Sequence, residues 1–454
     1  MVGRAYRTLF LAGKILGQKG YPFKPRPMIL KDQSRNIQAM IVHAFRRVPY
    51  YREAAKRLGL SPDEFRNGGD LSRLPLLERR EIQADPERFI SRGANLKKCL
   101  PLSTSGSSGA PLTVYLDRRT ALLAAAHAER YRAVLLKAVG HRRYRETLIV
   151  PLESSHQKHT RFWLGSTLLP RGLVPRKQVL SLFEPPETLI PRVADFAPDI
   201  LHSYGSYIEA FFAKLETWDK PFPKPRAVGV SADGLSDASR RLIRERFGIP
   251  CFSAYGAVEA TRIGFECEAH AGLHVNEDIY PVRLVDGRGR DLPVGEPGEV
   301  VVSNLVNRTM VVLNYRLGDR AAFLAEPCAC GRSLPLLSFP EGRTGEWIRL
   351  PDGRRVHGLC LHVLLRADRS VYQYQIVQTS LDRFTLSLVA AGTADRAAVA
   401  ERIKAGFEKA IGPGIGIEVR FVPSIPVAAG GKLRPIIGLD PDGEAALAPS
   451  VRPS

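Results

Sequence analysis

At 454 residues the chain is longer than one hydrophobic core usually organises, so two or three domains are expected. Its 44% hydrophobic and 25% charged residues are enough for a sizeable packed core, and no apolar run reaches the ~18–20 residues that cross a bilayer. The net charge of +20 would suit nucleic acid, a membrane surface or an acidic partner. The arginines are instead scattered in pairs, Arg79-Arg80, Arg142-Arg143, Arg240-Arg241 and Arg354-Arg355, without an aromatic ladder, which reads as a solvated surface and argues against nucleic acid.

Residues 1–45 read as a basic helical lead-in, broken at Tyr21-Pro22-Phe23-Lys24-Pro25-Arg26-Pro27, where three prolines forbid a continuing helix. Lys14 interrupts the apolar stretch Leu9–Gly13 too early for a signal peptide, so a cytoplasmic location is expected. The folded body opens at Val48-Pro49-Tyr50-Tyr51-Arg52, with a helical pattern to about residue 98 and Ser61-Pro62-Asp63-Glu64 as a cap and first turn.

Between Leu100-Pro101-Leu102 and Leu112-Thr113-Val114-Tyr115-Leu116 lies Ser103-Thr104-Ser105-Gly106-Ser107-Ser108-Gly109-Ala110-Pro111. Small residues let a backbone approach an anion, and this loop adds several hydroxyl donors, so phosphate is the natural ligand. It is not a Walker A loop, since no Gly-Lys-Ser/Thr follows, and Ser/Gly tracts also serve as flexible linkers. Its framing by two apolar segments reads as a turn between strands.

Residues 119–139 form an Ala- and Leu-rich helix, after which Leu148-Ile149-Val150-Pro151-Leu152 is a buried strand ending in polar Glu153-Ser154-Ser155-His156. Strand–helix alternation continues through Asp199–Ser206, a helix near 207–217, Ala227–Val230, a helix over 237–246, and Cys251–Tyr255. Such alternation predicts a parallel sheet with ligands at the strand C-terminal ends. From 279 to 325 the pattern becomes antiparallel, with turns at Asp286-Gly287 and Pro297-Gly298. From Gly342 a small α+β domain is predicted, with a hairpin signal at Asp352-Gly353, strands at 373–377 and 385–389 and a helix over 395–411. The expected organisation is a large domain over 1–341, a small one over 342–440 and a loose tail over 441–454.

Four stretches then stand in order: the loop at 103–113, Tyr255-Gly256-Ala257-Val258-Glu259, Tyr315-Arg316-Leu317-Gly318-Asp319, and Gly431-Lys432-Leu433-Arg434. Together they resemble the adenylate-forming superfamily of acyl-CoA synthetases and ligases, in the phenylacetate–CoA ligase-like branch that also contains coenzyme F390 synthetase and capsule-biosynthesis homologues. The resemblance implies an α/β fold: a large N-terminal domain of mixed sheets with helices, and a small mobile α+β C-terminal lid, with ATP and a carboxylic acid as ligands. It implies that Thr104, Ser105, Gly106, Ser107, Ser108 and Gly109 hold phosphates, that Glu259 ligates Mg²⁺, and that Tyr255 and Gly256 lie at the adenine. Asp319 and Arg343 would serve the ribose, Asp233 stands where relatives carry Gly-Glu, and Lys432 would reach the carboxylate and α-phosphate.

These roles suit the residue types, because carboxylate attack on phosphorus needs positive charge and an aspartate can accept two hydrogen bonds from a diol. Taken singly, Asp319 also fits a turn, Glu259 a helix cap and Lys432 a surface charge. Two positions depart from the family pattern: Ala110 replaces a lysine, and Gly345 stands at the hinge where aspartate is usual.

The acyl pocket is expected around His202, Tyr204, Gly205 and Ser206, with Glu153–His156 beside it. Cys267, His270, Cys328 and Cys330 form a three-cysteine, one-histidine set that would close a tetrahedron around a structural Zn²⁺, with buried unliganded cysteines as the alternative and His274 a competing ligand read as a packing or substrate-side residue. The activity expected is ATP- and Mg²⁺-dependent formation of an acyl-adenylate, with pyrophosphate release and transfer to coenzyme A. Alternatives are transfer to an acidic carrier protein or an amine, nucleotidyl transfer as in the F390-type relatives, and a non-catalytic zinc- and nucleotide-binding scaffold. Among partners, a homodimer is left open.

Overall fold

The computed structural model describes residues 2–103, 112–141, 143–169, 174–182, 184, 186–232, 234–235, 237–340, 347–357, 361, 364–365, 371–390, 395–422 and 436–439. Those up to Pro340 form one compact unit and those from Trp347 onward another.

The first unit opens with helices α1 (Val2–Ile15), α2 (Arg26–Arg47), α3 (Pro49–Leu58) and α4 (Arg79–Ala84). Pro22 and Pro25 lie between α1 and α2, whereas Pro27 falls in the first turn of α2, where a missing N–H costs no helical hydrogen bond. Ser61 and Glu64 form the expected capping box, the Ser61 N–H donating to Glu64 Oε2 at 2.6 Å. Strands β1 (Leu100–Ser103) and β2 (Thr113–Leu116) pair antiparallel and frame the Ser/Gly loop, whose own residues 104–111 lie outside the described set. At its base the hydroxyls of Ser103 and Thr113 are hydrogen-bonded at 3.0 Å.

The helix expected over 119–139 is two helices, α5 (Arg118–His127) and α6 (Glu129–Val139), parted at Ala128. Asp117 caps α5 by accepting from the Thr120 N–H at 2.6 Å. There follow β3 (Arg145–Val150), α7 (Ser155–Gly165), β4 (Arg176–Ser181), α8 (Pro186–Phe196), β5 (Ile200–Tyr204), α9 (Gly205–Glu216), β6 (Ala227–Ser231), α10 (Asp237–Leu242) and β7 (Cys251–Tyr255).

Strands β3 to β7 are parallel, as the alternation predicts. The sheet then continues antiparallel through β8 (Gly264–Glu266) and β9 (Leu273–Val275), reaching nine strands with two short segments near its far edge. One face packs Ile149, Leu201, Val228 and Val230 against α8 and α9. The other packs Ile200, Ala227 and Phe252 against Tyr131, Val134 and Leu135 of α6. Strands β10 (Val282–Val285), β11 (Gly298–Val302) and β12 (Tyr315–Ala321) form a separate three-stranded antiparallel sheet, and β13 (Phe323–Leu324) and β14 (Leu336–Leu337) complete the large sheet beside β9.

In the second unit β15 (Trp347–Arg349) and β16 (Arg355–His357) make a hairpin around Asp352-Gly353. A four-stranded sheet combines β17 (Val371–Ser380), β18 (Arg383–Ala390), β19 (Gly416–Phe421) and β20 (Ile436–Ile437), and α11 (Arg396–Ile411) buries Val399, Ile403 and Phe407 in its core. No helix of the described residues is long and apolar enough to cross a membrane.

Candidate functional site

Strand β7 ends at Tyr255, and the chain turns at once through Gly256-Ala257-Val258-Glu259. The turn needs glycine: a Cβ on Gly256 would lie 2.4 Å from the carbonyl oxygen of Thr261. Two tyrosine hydroxyls join this turn to β12. Tyr255 donates to Asp319 Oδ2 at 2.7 Å, and Tyr315 donates to Glu259 Oε1 at 3.0 Å. Two motifs more than fifty residues apart are thereby brought together.

Glu259 is 4% exposed, and among the described residues no lysine, arginine or histidine pairs with its carboxylate. A buried anion without a counter-charge is costly unless a cation is supplied from outside. Its backbone is fixed by Asn304, whose Nδ2 donates to the Glu259 carbonyl at 2.7 Å. The Asn304 Oδ1 accepts from Val306 and Asn307 N–H, and Asn307 Nδ2 donates at 3.0 Å to the carbonyl of Tyr115 in β2. The asparagines thus tie the Glu259 turn to the strand that follows the Ser/Gly loop. Tyr315, Asn304 and Asn307 had no assigned role in the sequence reading; the available signal was asparagines set in the otherwise apolar run Ser303-Asn304-Leu305-Val306-Asn307.

Of the other expected nucleotide-site residues, Thr104, Ser105, Gly106, Ser107, Ser108, Gly109, Asp233, Arg343 and Lys432 lie outside the described residues. Ala232, immediately before Asp233, has a left-handed backbone (φ 71°), uncommon for a residue with a Cβ.

His202 sits in the middle of the parallel sheet, opposite Leu148 of β3 and Gly229 of β6. Its ring lies directly over Gly229, where an added Cβ would come within 2.0 Å of Nδ1. On the same face Glu146 Oε1 is 4.0 Å from His202 Nε2, while Glu146 Oε2 pairs with Lys177 at 3.1 Å. Burial pushes the His202 pKa down to about 4, against the pull of Glu146, so the ring is neutral at pH 7. Lys177 and His202 outweigh burial at Glu146 and hold its pKa at about 2. Tyr204 ends β5 and Gly205 opens α9; the side chain of Ser206 lies outside the described set.

The cysteine set requires a correction. Cys267, Cys328 and Cys330 do converge, but the histidine beside them is His274, not His270; the four ligand atoms lie within 4.8 Å of one another. His270 has a left-handed backbone (φ 54°), its ring stacks on Phe252 at 5.2 Å, and its Nδ1 pairs with Glu266 Oε1 at 2.6 Å. Glu266 is fully buried and also accepts from Arg240 and the Ser253 N–H, so it holds His270 to a different cluster. His274 instead stands on β9 between Phe265 and Leu336, with Nε2 3.2 Å from Cys330 Sγ.

These residues fit a tetrahedral metal. Zn–S bonds of about 2.3 Å imply S···S edges of about 3.8 Å, and Cys267 Sγ lies 3.6 Å from Cys328 Sγ. His274 Nδ1 faces the Leu334 carbonyl at 3.3 Å, which favours the tautomer that leaves Nε2 as the ligand atom. The N–H groups of Ala269 and Arg332 point at the sulfurs of Cys267 and Cys330, both at 3.4 Å. Burial raises the Cys267 pKa to about 12 and also raises Cys328, whereas at Cys330 burial is outweighed by donation from Arg332 and the thiol is lowered.

Residues 349–438 match the family described as the CapK C-terminal domain. Over 379 residues the chain is 26% identical to the phenylacetate–coenzyme A ligase of Thermus thermophilus, an alignment covering 78% of this chain and 79% of that protein. The Aromatoleum evansii enzyme of the same name is 26% identical over 325 residues, 70% of each chain. The fold is that of a 2-hydroxyisobutyryl-CoA ligase crystallised with 2-HIB-AMP and CoA, at a TM-score of 0.61 and 17% identity, covering 93% of this chain and 91% of that one.

Proposed function

We infer that this chain, an adenylate-forming ligase of the phenylacetate–CoA ligase-like kind, activates a carboxylic acid with ATP and passes the acyl group to coenzyme A. The observation that carries this reading is the buried Glu259, held by Tyr315 and lacking a protein cation among the described residues, next to the Tyr255–Asp319 pair. A divalent cation bound there would neutralise phosphate charge. Glu259 is its ligand in this proposal, and Tyr315 keeps one carboxylate oxygen oriented.

An oxygen of the substrate carboxylate attacks the α-phosphorus of ATP, pyrophosphate leaves, and the sulfur of coenzyme A then displaces AMP from the acyl carbon. Asp319, positioned by Tyr255, accepts from the ribose hydroxyls. The Ser/Gly loop over 104–109 binds phosphate, Arg343 assists at the ribose, and Lys432 supplies positive charge to the carboxylate and α-phosphate; these three assignments rest on the resemblance alone. The domain division at 341–342 and a mobile small domain belong to the same proposal. We assign Cys267, His274, Cys328 and Cys330 to a structural zinc, since all four tetrahedral positions are filled by protein.

The test is pyrophosphate release from ATP and Mg²⁺ over a panel of carboxylic acids, with and without coenzyme A. Release stimulated by an acid, sustained by coenzyme A and strongly reduced in Glu259→Gln is expected. Acid stimulation indifferent to coenzyme A would replace it with a carrier protein or an amine as acceptor, and silence with every acid would overturn carboxylate activation.

A further inference from the structure

Arg262 follows the Glu259 turn by three residues, and its Cα lies 3.4 Å from the position a Gly256 Cβ would take, so it is built against the nucleotide-side turn itself. Its backbone is pinned by Asn276, whose Nδ2 donates to the Arg262 carbonyl at 3.0 Å. Its guanidinium lies over the Tyr131 ring at 5.2 Å. Among the described residues it makes no ion pair and no side-chain hydrogen bond.

The two carboxylates of this region are already engaged. Glu129 of α6 pairs with Arg132 at 3.2 Å, and Glu146 of β3 pairs with Lys177. Three histidines stand on the neighbouring elements: His202 on β5, and His156 and His159 on α7. His159 is occupied, its Nε2 being 3.0 Å from the Ala121 carbonyl. His156 is exposed and makes no hydrogen bond among the described residues. Tyr131 donates to the Phe252 carbonyl at 2.7 Å, and Phe252 stands opposite Gly229, over which the His202 ring lies, so the Arg262–Tyr131 pair and His202 share one face of the sheet.

This face of the sheet therefore presents one guanidinium that no carboxylate pairs among the described residues, with the His202 imidazole on the same face. A partly desolvated cation without a counter-ion is costly, and the cost is recovered when a ligand brings an anion. Arginine suits that task because its planar donors bind carboxylate or phosphate oxygens in pairs.

We propose that Arg262, on the sheet face that carries His202, is an anion-binding subsite for the acid to be activated. On this account the substrate carries a second anionic group, remote from the carboxylate that is adenylated. The inference rests on carboxylate activation as read above and narrows the substrate to dianionic acids.

The experiment compares acids in pairs that differ only in the second charge: hexanoate against adipate, and phenylacetate against 4-carboxyphenylacetate, by kcat/KM in ATP–pyrophosphate exchange. Wild-type protein is expected to favour the dianionic member of a pair at least tenfold, a comparison that needs no variant. In R262M that ratio falls at least tenfold, chiefly through KM for the acid, and R262K keeps part of it. Exchange with the neutral members at equal or greater efficiency overturns the subsite and leaves carboxylate activation standing. A ratio unchanged in R262M also overturns it, making Arg262 a stacking partner of Tyr131 only. Absence of exchange with every acid overturns carboxylate activation, and the subsite with it.

Discussion

Gly229→Ala puts a methyl group where the imidazole of His202 now lies. The new Cβ would stand 2.0 Å from Nδ1, 2.4 Å from Cε1 and 3.1 Å from Cγ. Ordinary contact needs about 3.4 Å or more, so the ring must withdraw by roughly 1.5 Å or swing to another rotamer. Withdrawal disturbs its 4.0 Å approach to Glu146. Overpacking of this kind costs about 1–3 kcal/mol, which in a unit this large lowers Tm by roughly 1–4 °C. The assay is a double-mutant cycle with His202→Ala, read by thermal unfolding and by KM for the acid. If the clash with the ring is the cause, Gly229→Ala costs little or nothing once His202 has lost its imidazole, because a strand otherwise tolerates alanine better than glycine. The same loss of Tm in both backgrounds would refute the reasoning. In the single variant, KM for the acid should rise at least tenfold while KM for ATP changes less than twofold.

Further outcomes follow from the same geometry. His274→Ala should abolish stoichiometric zinc in elemental analysis and His270→Ala should retain it; the reverse result would restore His270 as the ligand. Arg130 is almost fully buried, with paired hydrogen bonds of 2.7 and 2.8 Å to Asp278, so Arg130→Met should cost about 3–5 kcal/mol in denaturant unfolding by stranding the aspartate. His127 is buried with Nδ1 unpartnered, and burial, then Arg130, lower its pKa to about 3. The unfolded chain then binds the extra proton, so this contribution is complete above about pH 6.5 and is lost as pH falls toward 3, at up to about 1.4 kcal/mol per pH unit. His127→Leu should flatten the acid limb of the Tm–pH curve, and an unchanged limb would place the proton uptake elsewhere.

Much of the fold was readable because its signals are local. The apolar runs around 148–150, 200–204, 227–230 and 251–255 are central parallel strands, buried on both faces, and strands of that kind are continuous in apolar residues. Strand β4, Arg-Lys-Gln-Val-Leu-Ser, escaped that reading because it lies at the sheet edge and only Leu180 is buried. Strands β8 and β9 have three residues each, too few to show a period. The break at Ala128 carries neither glycine nor proline. In the site, Tyr255, Glu259 and Asp319 could be named from motif order, but the donors that orient Glu259 are set by packing between distant segments. The histidine of the cysteine cluster was misplaced for a similar reason. Cys-x-x-His spacing favours His270, but the demand of buried Glu266 for donors overrides spacing and draws that ring away.

The charge balance of the whole chain and that of the site point in different directions, and the difference is informative. With 66 lysines and arginines against 46 carboxylates, a cation is available almost everywhere on the surface. Yet among the described residues Glu259 has none, and Arg262, three residues along, has no carboxylate. In a basic protein, an acidic group left without a cation next to a basic group left without an anion is not an accident of composition. Were the two meant to satisfy each other, closure of that short turn would bring them together. The Tyr315 hydroxyl holds Glu259 on one side, while Asn276 anchors the Arg262 backbone and Tyr131 receives its guanidinium on another. The fold keeps the opposite charges apart, and the proposed roles give each a ligand of its own: a divalent cation with its nucleotide at Glu259, and the distal anion of the acid at Arg262. In the exchange it retains, Glu259→Gln should therefore raise the Mg²⁺ concentration needed for half-maximal rate without altering the preference between paired acids, and R262M should change that preference without altering the Mg²⁺ requirement. If either substitution moved both quantities together, the two charges would form one coupled site and this division of labour would be wrong.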